Sequence, residues 1–468
     1  MNPQSPPAEA APLAPQGVRT ELTSASTLWL LGSLLVMIAF SLSQGSAPTF
    51  AAYAIFGAAG MLVSRLLGTT SLRIFVVVYG VAAVAAVALY LYYESIYGVP
   101  YLLGGSDELL YEQFGEEFAR TMGLFDYTDI RGNLVPIWHN SVGYIYTVGV
   151  LFKFSLLFGE VHTMVPRLFN ALMLSLAAVG VYRLARKLEL PRQMAIYCGL
   201  FAGCLPLMVY VSVQTLRDIM VTTLLVAVVN LWIPGRGRKL SILAAALLTV
   251  VCAILLVDLR RPQALVALMI GGIGFLSSDF GRRPVVWIPT VIIAVVGAVG
   301  AYLVVSAFVS TELLFLVGQS EYYNAYRVDE VGGGLSAVVF STPPPLGWLL
   351  RTAYALASPI PEASLQLDRV WLSLGTIVHL MFVPFLFSGL GAALRKPNWW
   401  PVVGSMVLLF IGMAMFTFQG RHILQYLPFA VLLAALGYQK LEHSRPTIFL
   451  ATAAAGGALA VTYLLLKL

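Results

Sequence analysis

Charge is what this chain has least of. Only 11% of its 468 residues are Asp, Glu, Lys or Arg, against 59% hydrophobic, and the mean hydropathy is +0.85. That is too little charge to cover a soluble globule of this length, which leaves a polytopic membrane protein. Cysteine is scarce too. Cys198, Cys204 and Cys252 all sit inside apolar runs, without a Cys-x-x-Cys or a Cys/His cluster, so neither a disulfide frame nor a zinc site is indicated. The Pro- and Ala-rich start lacks the charged opening and cleavage pattern of a signal peptide, and residues 1–25 read as a disordered cytoplasmic tail. Alternating strand-length segments of a membrane barrel are missing. No nucleic-acid-binding signal is present, since short basic loops account for most of the net charge of +6.

What the chain has in quantity is apolar runs long enough to cross a hydrocarbon core, roughly 17–25 residues each. They fall at 27–43, 48–66, 72–93, 163–184, 192–212, 216–234, 239–258, 262–277, 284–308, 371–393, 399–417, 421–438 and 447–466. Only helices satisfy the backbone in lipid in this way, so the expected fold is all-α with about thirteen transmembrane helices. Residues 26–71 form two N-terminal helices, 72–308 a core with a long outer loop at 94–162, 309–370 an outer loop and semi-buried helix suited to be a lid, and 371–468 the C-terminal helices.

One further run, 138–158, is long enough to span, and its placement sets the side of every later loop. If it lies on the outer surface, the clusters Arg183/Arg186/Lys187/Arg192, Arg236/Arg238/Lys239, Arg282/Arg283, Arg395/Lys396 and Lys440/Arg445 all face the cytoplasm, as the positive-inside rule requires. Residues 138–158 therefore read as an interfacial or re-entrant helix. The same topology leaves Asp107, Glu108, Arg217, Asp218, Asp258, Arg260, Arg261 and Arg421 at the outer ends of helices. Charges in such places are costly and mark function.

The stretch 104–118 is the most acidic in the chain. Ser106 caps a helix that opens with Asp107 and Glu108, and Leu110, Phe114, Phe118 and Met122 recur every fourth residue. This phase aims Asp107 and Tyr111 at the bundle, turns Glu108 toward the solvated edge, and leaves Glu112, Gln113, Glu116 and Glu117 in water. The plainer alternative is that the two acids only favour the helix dipole. A carboxylate near an apolar interface suits a general base. Arg260, Arg261 and Arg421 suit a phosphate, which guanidinium binds through paired hydrogen bonds, or else they snorkel to lipid headgroups.

These residues resemble those of the GT-C glycosyltransferases that use polyprenyl-phosphate-linked sugars, the group that includes protein O-mannosyltransferases and lipid A aminoarabinose transferases. The resemblance covers about residues 72 to 235. It rests on Asp107-Glu108-Leu109-Leu110-Tyr111 in the first outer loop, Leu157-Phe158-Gly159 closing the interfacial helix, Arg167 in Val-Pro-Arg-Leu-Phe-Asn, the run Tyr182 to Leu188, mid-helix Pro206, and Asp218 in Thr-Leu-Arg-Asp. It departs from the family in two extra N-terminal helices and in Trp138-His139-Asn140 where Lys-Pro or Pro-Pro often begins the interfacial helix. The resemblance implies a GT-C-like fold, Asp107 as base with Glu108 as competitor, and Asp218 in support.

The resulting expectation is an inverting glycosyltransferase at the outer face of a bacterial inner membrane, with a polyprenyl-phosphate sugar as donor and a lipid, glycan or protein as acceptor. Arg260, Arg261 and Arg421 would hold the departing phosphate, while Tyr111, His139, Arg217, Tyr322, Arg327 and His422 would bind sugar or acceptor. No cofactor is required, though Asp107, Glu108 and Asp218 could share a divalent cation if folding brought them together. Two alternatives stand beside it: an O-antigen or exopolysaccharide polymerase using diphosphate-linked repeats, and a non-catalytic glycolipid transporter, which would be expected to carry internal repeats.

Overall fold

A computed structural model of the chain describes residues 16–102, 106–135, 141–235, 241–278, 335–343, 345–357, 366–416 and 420–467. The expected span 284–308, most of the proposed lid, and the candidates His139, Tyr322 and Arg327 lie outside these residues. The protein is an all-α, multi-pass membrane protein, 86% helical and without strands among the described residues. In chain order the helices are α1 (Gln16–Gln44), α2 (Ala47–Leu66), α3 (Thr69–Tyr97), α4 (Ser106–Thr121), the single turn α5 (Ile130–Asn133), α6 (Val142–Leu156), α7 (Met164–Lys187), α8 (Arg192–Cys204), α9 (Pro206–Ser212), α10 (Asp218–Trp232) and α11 (Ile242–Ser277). There follow α12 (Leu335–Ser341), α13 (Leu346–Ala357), α14 (Leu367–Ala393), α15 (Trp400–Phe416), α16 (Leu427–Lys440) and α17 (Arg445–Lys467).

Six described helices are long and apolar enough to cross a membrane: α1 from Leu22, α2, α3, α7, α11 and α14. A seventh is the pair α8 and α9, bent by 46° where Pro206 removes a backbone donor. This is fewer than the thirteen expected runs for identifiable reasons. The helix at 216–234 is only the 15 residues of α10, and that at 421–438 is the 14 residues of α16 preceded by a 3-10 segment, Gly420–Gln425. The run 138–158, not counted among the thirteen, contains the 15-residue α6, below crossing length.

The runs 239–258 and 262–277 are joined in α11, whose helical geometry breaks at one residue, Arg260, with φ −167 and ψ 95. The two halves fold back on each other at that break. A methyl group built on Gly271 would lie 2.9 Å from Thr249 Cγ2, and Trp232 Nε1 donates to Thr249 Oγ1 at 2.9 Å. Arg260 is thus the tip of a helical hairpin, and Pro262 falls in the first turn of its second arm, where a proline costs no hydrogen bond.

Of the six membrane-crossing helices, α3 and α7 are the most buried, and they pack together with α1, α2, α8 and α10 around them. Small residues let backbones approach in lipid, where apolar burial against other helices gains little over burial in acyl chains. The closest such contact joins α14 to α16. A methyl group on Gly389 would lie 1.8 Å from Leu433 O, and one on Gly437 would lie 1.9 Å from Phe385 O. Both clashes are with backbone, so the helices must separate. Gly437→Ala is expected to cost about 1–3 kcal/mol, the range for overpacking, read as a lower unfolding temperature in detergent; an unchanged temperature would contradict this packing.

Candidate active site

Helix α4 opens with Asp107 and Glu108, which favour its N-terminal dipole. Its buried face is Glu108, Tyr111, Glu112, Gly115, Phe118 and Ala119, a one-sided stripe at helical spacing. Gly115 and Gly149 let α4 lie against α6, since methyl groups there would come within 2.6 Å of Val148 and 2.4 Å of Phe118. The phase expected from Leu110, Phe114 and Met122 is therefore wrong by about one position. Glu108 is the inward acid and Glu112 is buried with it, while the Asp107 side chain keeps 39% of its exposure. Apolar periodicity misled because α4 turns its acids onto dedicated partners, which offset the cost of burying them.

Those partners form an inner layer. Glu108 Oε1 accepts the Thr215 backbone N–H at 2.8 Å and lies 3.4 Å from Nη2 of Arg167, a fully buried guanidinium that also donates to the Pro100 carbonyl. Glu112 accepts three hydroxyls, from Tyr101 at 2.5 Å, Thr163 at 2.8 Å and Thr215 at 2.6 Å. One carboxylate thus ties the exit of α3, the entry of α7 and the loop before α10 to α4. Asn170 steadies the same loop, its Nδ2 donating to Gln214 O at 2.7 Å and Leu216 O at 2.9 Å.

Burial raises the pKa of both Glu108 and Glu112, against the lowering effect of Arg167 on Glu108 and of the hydroxyl donors on Glu112. The folded carboxyls therefore bind protons more tightly than the unfolded chain, whose glutamates titrate near about 4.3. Their contribution is full below that value and is lost as pH rises through the raised folded pKa. The unfolding temperature should fall from mildly acidic to neutral pH, and Glu112→Gln should flatten that fall. An identical pH profile in the variant would count against this assignment.

An outer layer gathers around Asp218 at the start of α10. Its Oδ1 accepts Arg260 Nη1 at 2.9 Å and Gln425 Nε2 at 3.3 Å, and Arg421 Nε lies 3.9 Å from Oδ2. Arg421 also pairs with Asp107, so one guanidinium bridges the two acids. Arg260 Nη2 lies 2.6 Å from His422 Nε2. Arg217 donates to Ser141 Oγ and to Leu259 O, the latter at 2.9 Å, and the Tyr111 hydroxyl is 3.1 Å from the same serine. The hairpin tip at Arg260, the 3-10 segment at 420–425, the first turn of α10 and the first turns of α4 thus meet at one end of the bundle.

Of the residues singled out from sequence, Asp107, Glu108, Tyr111, Arg217, Asp218, Arg260, Arg421 and His422 are brought together here. Arg261 is exposed. Asp258 pairs with Arg131 at 2.6 Å and accepts from Tyr127, so its partners are not the neighbouring Arg260 and Arg261. Glu112, Thr215 and Gln425 were missed, and Arg167 had figured only as part of a motif. Glu112 stands one helical turn after Glu108, and Arg167 interrupts an otherwise apolar helix start, which are the signals that mark them. Asp107, Glu108 and Asp218 each face an arginine. No three His, Cys, Asp or Glu side chains gather as a cation site among the described residues.

The arrangement can hold an anion among Arg260, Arg421 and Arg217 while offering one partly exposed carboxylate, Asp107, beside them. No protein-family model matches this chain, and no curated protein matches it.

Proposed function

We propose that this protein is a GT-C-type glycosyltransferase that uses a polyprenyl-phosphate-linked sugar at the outer face of a bacterial inner membrane. Its scaffold would be about thirteen spans, with the N-terminus in the cytoplasm. The observation that carries this reading is the bridge Asp107–Arg421–Asp218, which sets an accessible carboxylate against a guanidinium within one small cluster. Single displacement needs that pair. The acceptor O–H or N–H gives its proton to Asp107 as its heteroatom bonds to the anomeric carbon. The bond from that carbon to the phosphate oxygen breaks, and its electron pair leaves on the phosphate, held by Arg421 and Arg260. The configuration at carbon inverts.

The pairing of Asp107 with Arg421 also supports an order of events. Asp107 is occupied by Arg421, so a phosphate arriving at Arg421 competes for that guanidinium and frees the base. Glu108, fully buried and held by Arg167 and Thr215, is less suited to reach an acceptor. Tyr111, Arg217 and His422 would orient the sugar or acceptor, together with His139, Tyr322 and Arg327 from the outer segments.

The test is reconstitution of the full chain in liposomes with polyprenyl-phosphate and polyprenyl-diphosphate sugars, following release of the lipid phosphate. Turnover of monophosphate donors is expected. Elongation of diphosphate-linked repeats alone would make it a polymerase, and glycolipid crossing without sugar transfer would make it a transporter. Topology is checked separately with a membrane-impermeant maleimide. Cysteine replacing Asn133 should label from outside and cysteine replacing Glu189 should not; the reverse would overturn the sidedness.

A further inference from the structure

Helix α7 runs from Arg167, beneath the acidic cluster, to Lys187 at the far end of the bundle. Twenty residues of helix span about 30 Å, the thickness of a hydrocarbon core. Helix α8 begins at that far end, and α16, which leaves the cluster after Gln425, finishes there. Between the first turns of α8 and the last turn of α16 lies an open groove of about 350 Å³, whose lining includes Gln193, Met194, Tyr197, Gln439, Glu442 and Arg445. This volume falls in the range of small-molecule sites. It sits at headgroup depth on the face opposite the proposed active site, and nothing in the proposed reaction uses it.

The side chains there are built for an anion. The Arg445 guanidinium lies 3.9 Å over the Tyr438 ring, and its Nε donates to the Tyr438 carbonyl at 2.8 Å. Stack and hydrogen bond together fix the plane of the group before anything binds. Among the described residues its terminal nitrogens pair with Glu442, at 4.0 Å, an acid whose side chain is 71% exposed. Gln193 Nε2 donates to the Tyr197 hydroxyl at 3.1 Å, so that hydroxyl keeps its own proton to give. The Gln439 side chain, half-buried in the groove, makes no hydrogen bond among the described residues. Arg183, Arg186 and Lys187 at the end of α7, Arg192 at the start of α8 and Lys440 at the end of α16 add positive charge at this end. A membrane surface offers such a field anionic lipid, and the tyrosine rings and Met194 give a glycerol backbone and acyl chain an apolar rim.

We infer that this groove binds the phosphodiester headgroup of an anionic phospholipid, with Arg445 on the phosphate and Gln193, Gln439 and Tyr197 on headgroup hydroxyls. Glu442 is the opposing charge that lines the groove among the described residues, and its exposure lets it turn into water when the phosphate enters.

The experiment uses the full chain in a neutral detergent, titrated with phosphatidylglycerol, with phosphatidylcholine, or with inorganic phosphate. It reads the unfolding temperature and the one-to-one lipid adduct by native mass spectrometry. Phosphatidylglycerol should raise the unfolding temperature and stay bound, while phosphatidylcholine and inorganic phosphate should do neither. Arg445→Gln should weaken the adduct on the order of tenfold, one charge-assisted contact, and Glu442→Gln should strengthen it. If Arg445→Gln does not fold, Gln439→Ala, which leaves the Arg445–Tyr438 stack in place, should still weaken it several-fold. Equal retention in every folded variant would overturn the site. Equal effects of phosphatidylcholine would remove its charge selectivity, and a matching shift with inorganic phosphate would refute a lipid occupant.

Discussion

Asp107→Asn is expected to lower sugar transfer by about 10²–10⁴-fold, the range for loss of a general base, in a protein that still folds. The side chain is 39% exposed and its ion pair with Arg421 is partly solvated, so the structural cost should stay within about 1 kcal/mol, the range for exposed pairs. An asparagine carbonyl still accepts from Arg421, so binding of the donor should change far less than turnover. Glu108→Gln should behave differently. That change disturbs the buried contacts with Arg167 and the Thr215 backbone, so rate and stability should fall together. Initial rates and unfolding temperatures measured side by side separate the two acids. A folded Asp107→Asn protein at full rate, beside a folded but inactive Glu108→Gln protein, would transfer the role of base to Glu108.

The largest effect on stability should come from Arg167→Met. Arg167 is fully buried, and its loss leaves the Glu108 carboxylate without a cation and the Pro100 carbonyl without a donor. Breaking a buried pair from one side costs about 3–5 kcal/mol, because the remaining charge is uncompensated. Burial already raises the Glu108 pKa, and loss of the arginine removes an opposing influence. The variant should therefore regain part of its stability at acidic pH, where the carboxyl takes up a proton. Adding Glu108→Met should restore most of the remainder, as replacement of both partners by apolar groups leaves no charge to solvate. Unfolding temperatures of both single variants and the double variant at acidic and neutral pH check this. A single-variant cost below about 1 kcal/mol, typical of an exposed pair, would rule out a buried ion pair here.

Much of the architecture was legible because lipid imposes it. Without water to satisfy a backbone in the hydrocarbon, apolar runs must be helices. The break between residues 258 and 262 showed as charge and proline in an apolar run, and it is the hairpin tip at Arg260. The charged candidates were legible for a related reason: charges at the ends of apolar helices are expensive, so those that persist tend to have partners. The phase of α4 was not legible. Its apolar residues point one way on a helical wheel, yet Glu108 and Glu112 are inside because Arg167, Thr163, Thr215 and Tyr101 meet them there. Nothing within the sixteen residues of α4 encodes those partners.

The sequence by itself determined that this protein is helical, membrane-embedded and sparing with charge, and it marked most of the ionisable groups that matter. Only the tertiary structure decided which of them pair. Asp107 meets Arg421 across 314 positions, and Asp218 meets Gln425 across 207. Partition between water and lipid acts residue by residue and leaves a periodic trace in the chain. A buried ion pair depends on two distant groups arriving within a few ångströms, and that is fixed only when the helices pack.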